Sequence, residues 1–280
     1  MESREASSST IRTQPLVSVV MPAYNAGPYV GEAVRSVVTQ TYANWELIIV
    51  DDGSTDDTRH ILAGFSDPRI RVIHQENRGC GNARNRAMDE MNGEFLAFLD
   101  ADDVLPPRSI EARLEVLLSD PSLSFADGAV LSVDRGLREV LRTYMPSFTG
   151  EPFDLLIRFS PRCFFGNTWM VRTNAARHHR FDGSLSHAED LMFYLTIAPG
   201  RRYGFTHEPV LLYRVTGHST MSQLEGLERS YHALQQWMHD HPELVDRRTA
   251  LMARFRVRRM MSGSYWHAGR KWSAITAWFR

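Results

Sequence analysis

The chain has 280 residues, 43% of them hydrophobic, and a formal net charge of −1, which suits a globular α/β protein with a real core and gives no global reason to expect a nucleic-acid binder. Its two cysteines, Cys80 and Cys163, form neither a CxxC pattern nor a disulfide framework, so a reducing cytoplasm is the expected compartment. Residues 1–14 are polar without an apolar h-region and read as a disordered lead-in, and no apolar stretch is long enough to span a bilayer.

In chain order, LVSVVM (16–21) is rich in β-branched residues and reads as a strand ending near Pro22. Residues 28–40 follow with Val30, Ala33, Val34, Val37 and Val38 on one helical face. WELIIV (45–50) is a second strand, with a capped helix from Thr55 or Asp56 to about Gly64. IRVIH (70–74), a helix over 80–91 and EFLAFL (94–99) complete the first half. Nearly all-apolar strands separated by amphipathic helices predict a mostly parallel sheet covered on both faces. The second half is less regular: strands are expected at 125–134, 164–172 and 208–215, a helix from Glu189, and mostly helix from Ser222 onward. The expected division is a lead-in over 1–14, a sheet domain over 15–222 and a helical, basic extension over 223–280.

Each of the first four strands ends in a polar cluster: Pro22-Ala23-Tyr24-Asn25, Asp51-Asp52-Gly53-Ser54, Asn77-Arg78-Gly79 and Asp100-Ala101-Asp102-Asp103. The last is the least comfortable, because like charges repel and are costly to bury without compensation. Alone, it reads more readily as a solvated turn capping the next helix than as a divalent-cation site beside a phosphate-bearing ligand. Four such clusters on the carboxyl edge of one sheet are explained together by a single ligand crevice. Gly79-Cys80-Gly81-Asn82-Ala83-Arg84 is not the dinucleotide fingerprint: Arg84 stands where the third glycine would be, and the stretch follows the third strand, not the first. No Walker A sequence is present.

The stretches SVVMPAYNAGPYVGEAVRSVVTQTYANWELIIVDDGSTDDT and NRGCGNARNRAMDEMNGEFLAFLDADD resemble the family 2 glycosyltransferases of GT-A fold, strongly over residues 16–108 and more weakly to about residue 222 through FDGSLSHAEDLMFYL and LYRVTGHSTMS. The resemblance implies an inverting, metal-dependent transfer of sugar from a nucleotide-diphosphate sugar, by family frequency a UDP-sugar, to a hydroxyl of a glycan or lipid-linked acceptor. It implies that Asp52 holds the nucleotide base, that Pro22 and Tyr24 border it, and that Arg84 approaches the nucleotide or diphosphate. It implies Asp100 near the ribose, Asp102 as a direct ligand of Mn²⁺ or Mg²⁺ with His218 as a further ligand, and Gly166 in a loop beside the donor sugar. Asp190 is the implied general base, with Glu189 in reserve, in bacterial polysaccharide or glycolipid assembly. Two other readings stay open: a nucleotidyltransferase of the sugar-nucleotide pyrophosphorylase kind, which lacks its glycine-rich basic loop here, and a degenerate binding subunit, against which the D-x-D and Glu189-Asp190 pairs both stand.

The tail is distinct. Residues 247–280 hold nine Arg or Lys, no Asp or Glu, and three tryptophans. It reads either as a helix lying on anionic lipid at the inner face of the plasma membrane or as a helical subdomain with its aromatics packed inward.

Overall fold

A computed structural model of the protein describes residues 14–217 and 223–278. The first half alternates β1 (Val17–Ala23), α1 (Gly27–Val38), β2 (Trp45–Asp52), α2 (Thr58–Ala63), β3 (Ile70–Gln75), α3 (Cys80–Asp89) and β4 (Phe95–Phe98). The second half runs α4 (Ser109–Ser119), β5 (Leu123–Val133), β6 (Val140–Tyr144), α5 (Phe153–Ile157), β7 (Met170–Arg172), α6 (Thr173–Ala176), α7 (Glu189–Ile197) and β8 (Arg202–Arg214). Three helices close it: α8 (Leu224–Asp240), α9 (Arg247–His267) and α10 (Lys271–Thr276).

One sheet organises the fold, in the order β3-β2-β1-β4-β7-β5-β6, with β8 also paired to β5. The strands β3, β2, β1 and β4 are mutually parallel, as is β5 with β8, whereas β7 and β6 pair antiparallel with their neighbours. The central strands β1, β2 and β4 bury both faces, and the period of two sorts their side chains. Val19, Met21, Leu47, Ile49 and Ala97 pack with Val30, Val34 and Val37 of α1 and Ile110, Leu114 and Leu117 of α4. Val20, Ile48, Val50, Leu96 and Phe98 pack with Ala83, Ala87 and Met88 of α3 and with Leu191, Phe193 and Leu195 of α7. Leu227, Tyr231, Leu234, Val257, Met261 and Tyr265 of α8 and α9 belong to that same second cluster, so the C-terminal helices share the sheet's core.

Two expectations change. The strand expected over 164–172 is only Met170–Arg172. The residues before it form a loop pinned by its own aromatics: Trp169 Nε1 donates to the Cys163 carbonyl at 2.8 Å, and its ring stacks on Tyr194 at 4.2 Å. The expected helix cap at Thr55 or Asp56 also shifts. The helix begins at Thr58, and Asp56 instead accepts from the Gly27 and Thr58 backbone N–H groups at 2.9 and 3.0 Å. Asp56 thus ties two loops together instead of closing one helix end.

Candidate active site

The first four strands all deliver their polar ends to one edge, and hydrogen bonds lace the loops there. Asn25 N donates to Ser54 Oγ at 3.0 Å and Thr55 N donates to Asn25 Oδ1 at 2.8 Å, joining the loops after β1 and β2. Gly53 makes the next junction. Its φ is +77°, and a Cβ there would come within 2.8 Å of Asn77 N, so the left-handed backbone and the close approach both require glycine. Asp51 is buried and accepts from Ser54 N, His74 Nδ1 and Arg59 Nε at 3.0, 2.9 and 3.1 Å. Burial alone would raise its pKa, but these hydrogen bonds outweigh burial and hold the carboxyl below its usual range.

Asp52 lies beside the loop after β3, accepting from Gln75 Nε2 at 2.6 Å, Arg78 N at 2.9 Å and Gly79 N at 2.8 Å. A carboxylate offers roughly four lone-pair positions, which leaves capacity for one N–H of a ligand. Pro22 is buried within β1, and Tyr24, 52% exposed, stands at the crevice mouth.

The centre of the site is Arg84 of α3. Only 2% exposed, it donates from one terminal nitrogen to Asp100 Oδ1 and from the other to Glu189 Oε1, both at 2.7 Å. The Asn167 amide, with its oxygen turned inward, accepts from both nitrogens at 3.1 and 2.9 Å. One buried cation thus joins the D-x-D turn, the Gly166 loop and the start of α7. Arg84 points inward, with its two terminal nitrogens taken up by protein groups. Gly166 itself lies against Asp190: a Cβ there would sit 3.6 Å from Asp190 Oδ2.

Asp190 differs from its neighbour. Glu189 is engaged by Arg84, whereas Asp190 accepts only its own helix's Leu191 N–H, at 2.7 Å, among the hydrogen bonds found here. Burial, with the Glu189 charge beside it, pushes Asp190 up to about 7 against the opposing pull of Arg84. Ala188, just before it, has a left-handed φ of +51°, and His187 before that is buried under α8. A Cβ on Gly226 of α8 would come within 2.6 Å of His187 Cε1, so the absence of a side chain there lets α8 close on the loop that presents Glu189 and Asp190.

In the D-x-D turn, Asp102 is partly buried, and burial with the Asp100 charge raises it to about 6. Asp103 is buried and accepts from Arg214 N at 2.8 Å, a structural role. Arg214, 4% exposed, donates to the Asp102 carbonyl at 2.8 Å and to Glu32 Oε2 at 2.6 Å, bracing the turn from beneath. His218 lies outside the described residues. Among the described residues no three His, Cys, Asp or Glu side chains gather as a metal cluster. The donor set that remains, a half-open pair of hard carboxylate oxygens with excess negative charge, fits an ion completed by substrate phosphates. Asn167 and Arg214 carried no signal in the sequence; both act on residues distant in the chain. A cavity of about 370 Å³ lined by Asn92, Glu94, Arg172 and Arg177 lies at the opposite edge of β4, away from these carboxylates.

Comparison with known proteins bears on this site. The model for glycosyl transferase family 2 matches residues 18–180. Chondroitin synthase from Escherichia coli is 34% identical over 195 residues, covering 68% of this chain and 28% of that protein. The E. coli UDP-Glc:alpha-D-GlcNAc-diphosphoundecaprenol beta-1,3-glucosyltransferase WfgD is 42% identical over 114 residues, 40% of this chain and 45% of that one. The chain therefore spans less than half the length of these two relatives. Among solved structures, TarS 1–349 of S. aureus in complex with UDP-GlcNAc superposes with a TM-score of 0.65 at 18% identity, covering 93% of this chain and 90% of that one. The mannosyltransferase PcManGT from Pyrobaculum calidifontis, in complex with GDP-Man and Mn²⁺, gives 0.60 at 22% identity, over 95% and 74%. The mostly parallel sheet flanked by helices is the GT-A type fold of these enzymes.

Proposed function

Because the chain belongs to glycosyl transferase family 2, we propose that it transfers a sugar from a UDP-sugar to a hydroxyl of a glycan or lipid-linked acceptor, with inversion at the anomeric carbon and with Asp190 as general base. The observation that carries this reading is the buried Arg84, which holds the D-x-D turn and the acceptor-side carboxylates on either side of one crevice. TarS bound to UDP-GlcNAc and PcManGT bound to GDP-Man and Mn²⁺ support a nucleotide-sugar donor and a divalent ion. The name of WfgD, with a diphosphoundecaprenol-linked acceptor, supports a lipid-linked one.

In this reading Asp52 receives an N–H of the nucleotide base, with Pro22 and Tyr24 bordering the ring. Asp100, fixed by Arg84, faces the ribose. Asp102, with the donor's own phosphate oxygens and His218, would hold Mn²⁺ or Mg²⁺, which when bound neutralises charge gathering on the departing diphosphate. Gly166 leaves room for the donor sugar beside Asp190.

The acceptor hydroxyl attacks the anomeric carbon while Asp190 takes its proton. The bond from that carbon to the diphosphate oxygen breaks, and its electron pair leaves with the diphosphate. A single displacement inverts the configuration. Arg84 decides which carboxylate serves: it occupies Glu189 as an ion-pair partner, whereas Asp190 is pushed up to about 7, a range in which a general base is effective near neutral pH. Among the described residues no helix is long and apolar enough to cross a membrane; work on a lipid-linked acceptor at the inner face of the plasma membrane belongs to the same proposal.

The test is transfer from UDP-sugars to glycan acceptors by the parent and by Asp190→Asn and Glu189→Gln. Loss of transfer in Asp190→Asn with donor binding kept supports the assignment. Transfer that survives in Asp190→Asn and disappears in Glu189→Gln moves the base by one residue.

A further inference from the structure

Helix α9 packs one face and exposes another. Thr249, Ala253, Val257, Met261 and Tyr265, four residues apart, are its buried stripe, with Tyr265 Oη donating to Glu228 Oε2 of α8 at 2.8 Å. On the opposite arc, helical spacing aligns Arg248, Leu251, Met252, Phe255, Arg259, Ser262 and Trp266. Its large apolar members are open to solvent, Leu251 by 65% and Phe255 and Trp266 by 57% each. Helix α10 turns back onto this same arc. Trp278 meets Phe255 edge-on at 5.4 Å and donates to Ser262 Oγ at 3.0 Å, and the Lys271 ammonium sits 5.7 Å over the Trp266 ring. On α10, Trp272 is 77% exposed. The result is one continuous face of tryptophan, phenylalanine, leucine and methionine interleaved with arginine and lysine.

We infer that this α9–α10 face docks the protein on an anionic lipid surface. A water-exposed apolar patch of this kind marks an interaction site. Charge chooses the partner. From Arg247 to Trp278 the chain has eight basic side chains and no acidic one, although the whole chain stands at −1, so the body behind this face is net acidic. A second copy meeting the same patch through a two-fold axis would set arginine against arginine, a costly like-charge contact. An anionic bilayer pairs with the arginines while the indole and phenyl rings settle at headgroup depth. The face is coupled to the site, because α8, which carries α9, also covers His187 in the loop before Glu189 and Asp190. Docking would thus tether to the bilayer the helix pair that covers the loop before the acceptor-side carboxylates. This last consequence rests on the transferase reading; the docking itself does not.

The experiment is co-sedimentation of the full chain with phosphatidylcholine vesicles, with and without phosphatidylglycerol, at low and high salt. The parent is compared with Phe255→Ser/Trp266→Ser/Trp272→Ser and with Arg248→Glu/Arg259→Glu, each checked for folding by thermal melting. Binding confined to phosphatidylglycerol vesicles, weakened by salt, supports the inference. So does a loss of partition in both variants, with the charge variant falling at least about fivefold per reversed residue. Absence of vesicle binding, equal binding to both vesicle types, or binding unchanged in both variants overturns it. So does a concentration-dependent dimer, seen by sedimentation velocity, that the triple variant dissolves while vesicles are ignored. No sugar transfer is read, so a failed transferase reading leaves this outcome unaffected.

Discussion

At the residue scale, the site depends on how one buried guanidinium pairs with two carboxylates, Asp100 and Glu189, and leaves Asp190 beside it without that pairing. Asp190, without an ion-pair partner among the described contacts and raised to about 7, predicts an acidic limb: transfer rises with pH through about 7 as the base loses its proton. Asp190→Asn should cut transfer by roughly 10²- to 10⁴-fold. The same variant tests the linkage. A carboxyl whose pKa is raised by folding loses stability as pH climbs from the ordinary carboxylate range toward the folded value, because the unfolded chain gives up its proton first. Asparagine stays neutral, so Asp190→Asn should melt at or above the parent's temperature at pH 8; a clearly lower melting point would deny that Asp190 is held against its charge. Arg84→Met should unfold about 3 kcal/mol more easily in urea, the low end for breaking a buried pair, because the Asp100 carboxylate still reaches water. A change within error would show that Arg84 holds nothing. The residue types were visible in advance, Asp52, the D-x-D pair and Glu189-Asp190 as charges at strand and helix ends, but the roles expected of them came from the resemblance to family 2 glycosyltransferases and not from charge alone. Their pairing was not visible. Arg84 and Glu189 are 105 residues apart, and no local pattern announces that they meet.

At the scale of elements, the first half was readable because its strands are short, apolar and separated by amphipathic helices. The segment 164–172 misled for a related reason: it is aromatic and apolar, like a strand, but its bulk packs against Tyr194 and only Met170–Arg172 joins the sheet. The exposed edge strand β6, VLRTY, is only five residues long and shows no apolar–polar alternation, so it does not signal itself although Val140 and Leu141 are apolar. Loop contacts are the device that shapes the crevice, and Gly53 is the sharpest of them. Gly53→Ala should lower stability by about 1–3 kcal/mol through its left-handed backbone and the approach of Asn77. It should also weaken binding of nucleoside diphosphates, because Asp52 is held by the same loop. An alanine variant with the parent's melting point and affinity would remove that junction from the account.

At the scale of the molecule, a parallel sheet brings its strand ends to one edge, and distant polar clusters become one site. The C-terminal helices were read as helical and basic; their two-sidedness, one face in the sheet's core and one in water, needed the packing to be seen. An ion held by a carboxylate pair and substrate phosphates should be easily removed. Chelation is expected to abolish transfer and Mn²⁺ or Mg²⁺ to restore it in the parent, with Asp102→Asn recovering little; transfer unaffected by chelator would exclude the metal. The most direct single measurement is thermal unfolding of the parent chain with uridine, guanosine and other nucleoside diphosphates, each with and without Mn²⁺. Binding to the folded state stabilises it by about 2.7 kcal/mol at a hundredfold excess over Kd. The account predicts a rise in Tm with UDP that requires Mn²⁺. No rise with any nucleoside diphosphate, with metal present, would contradict it.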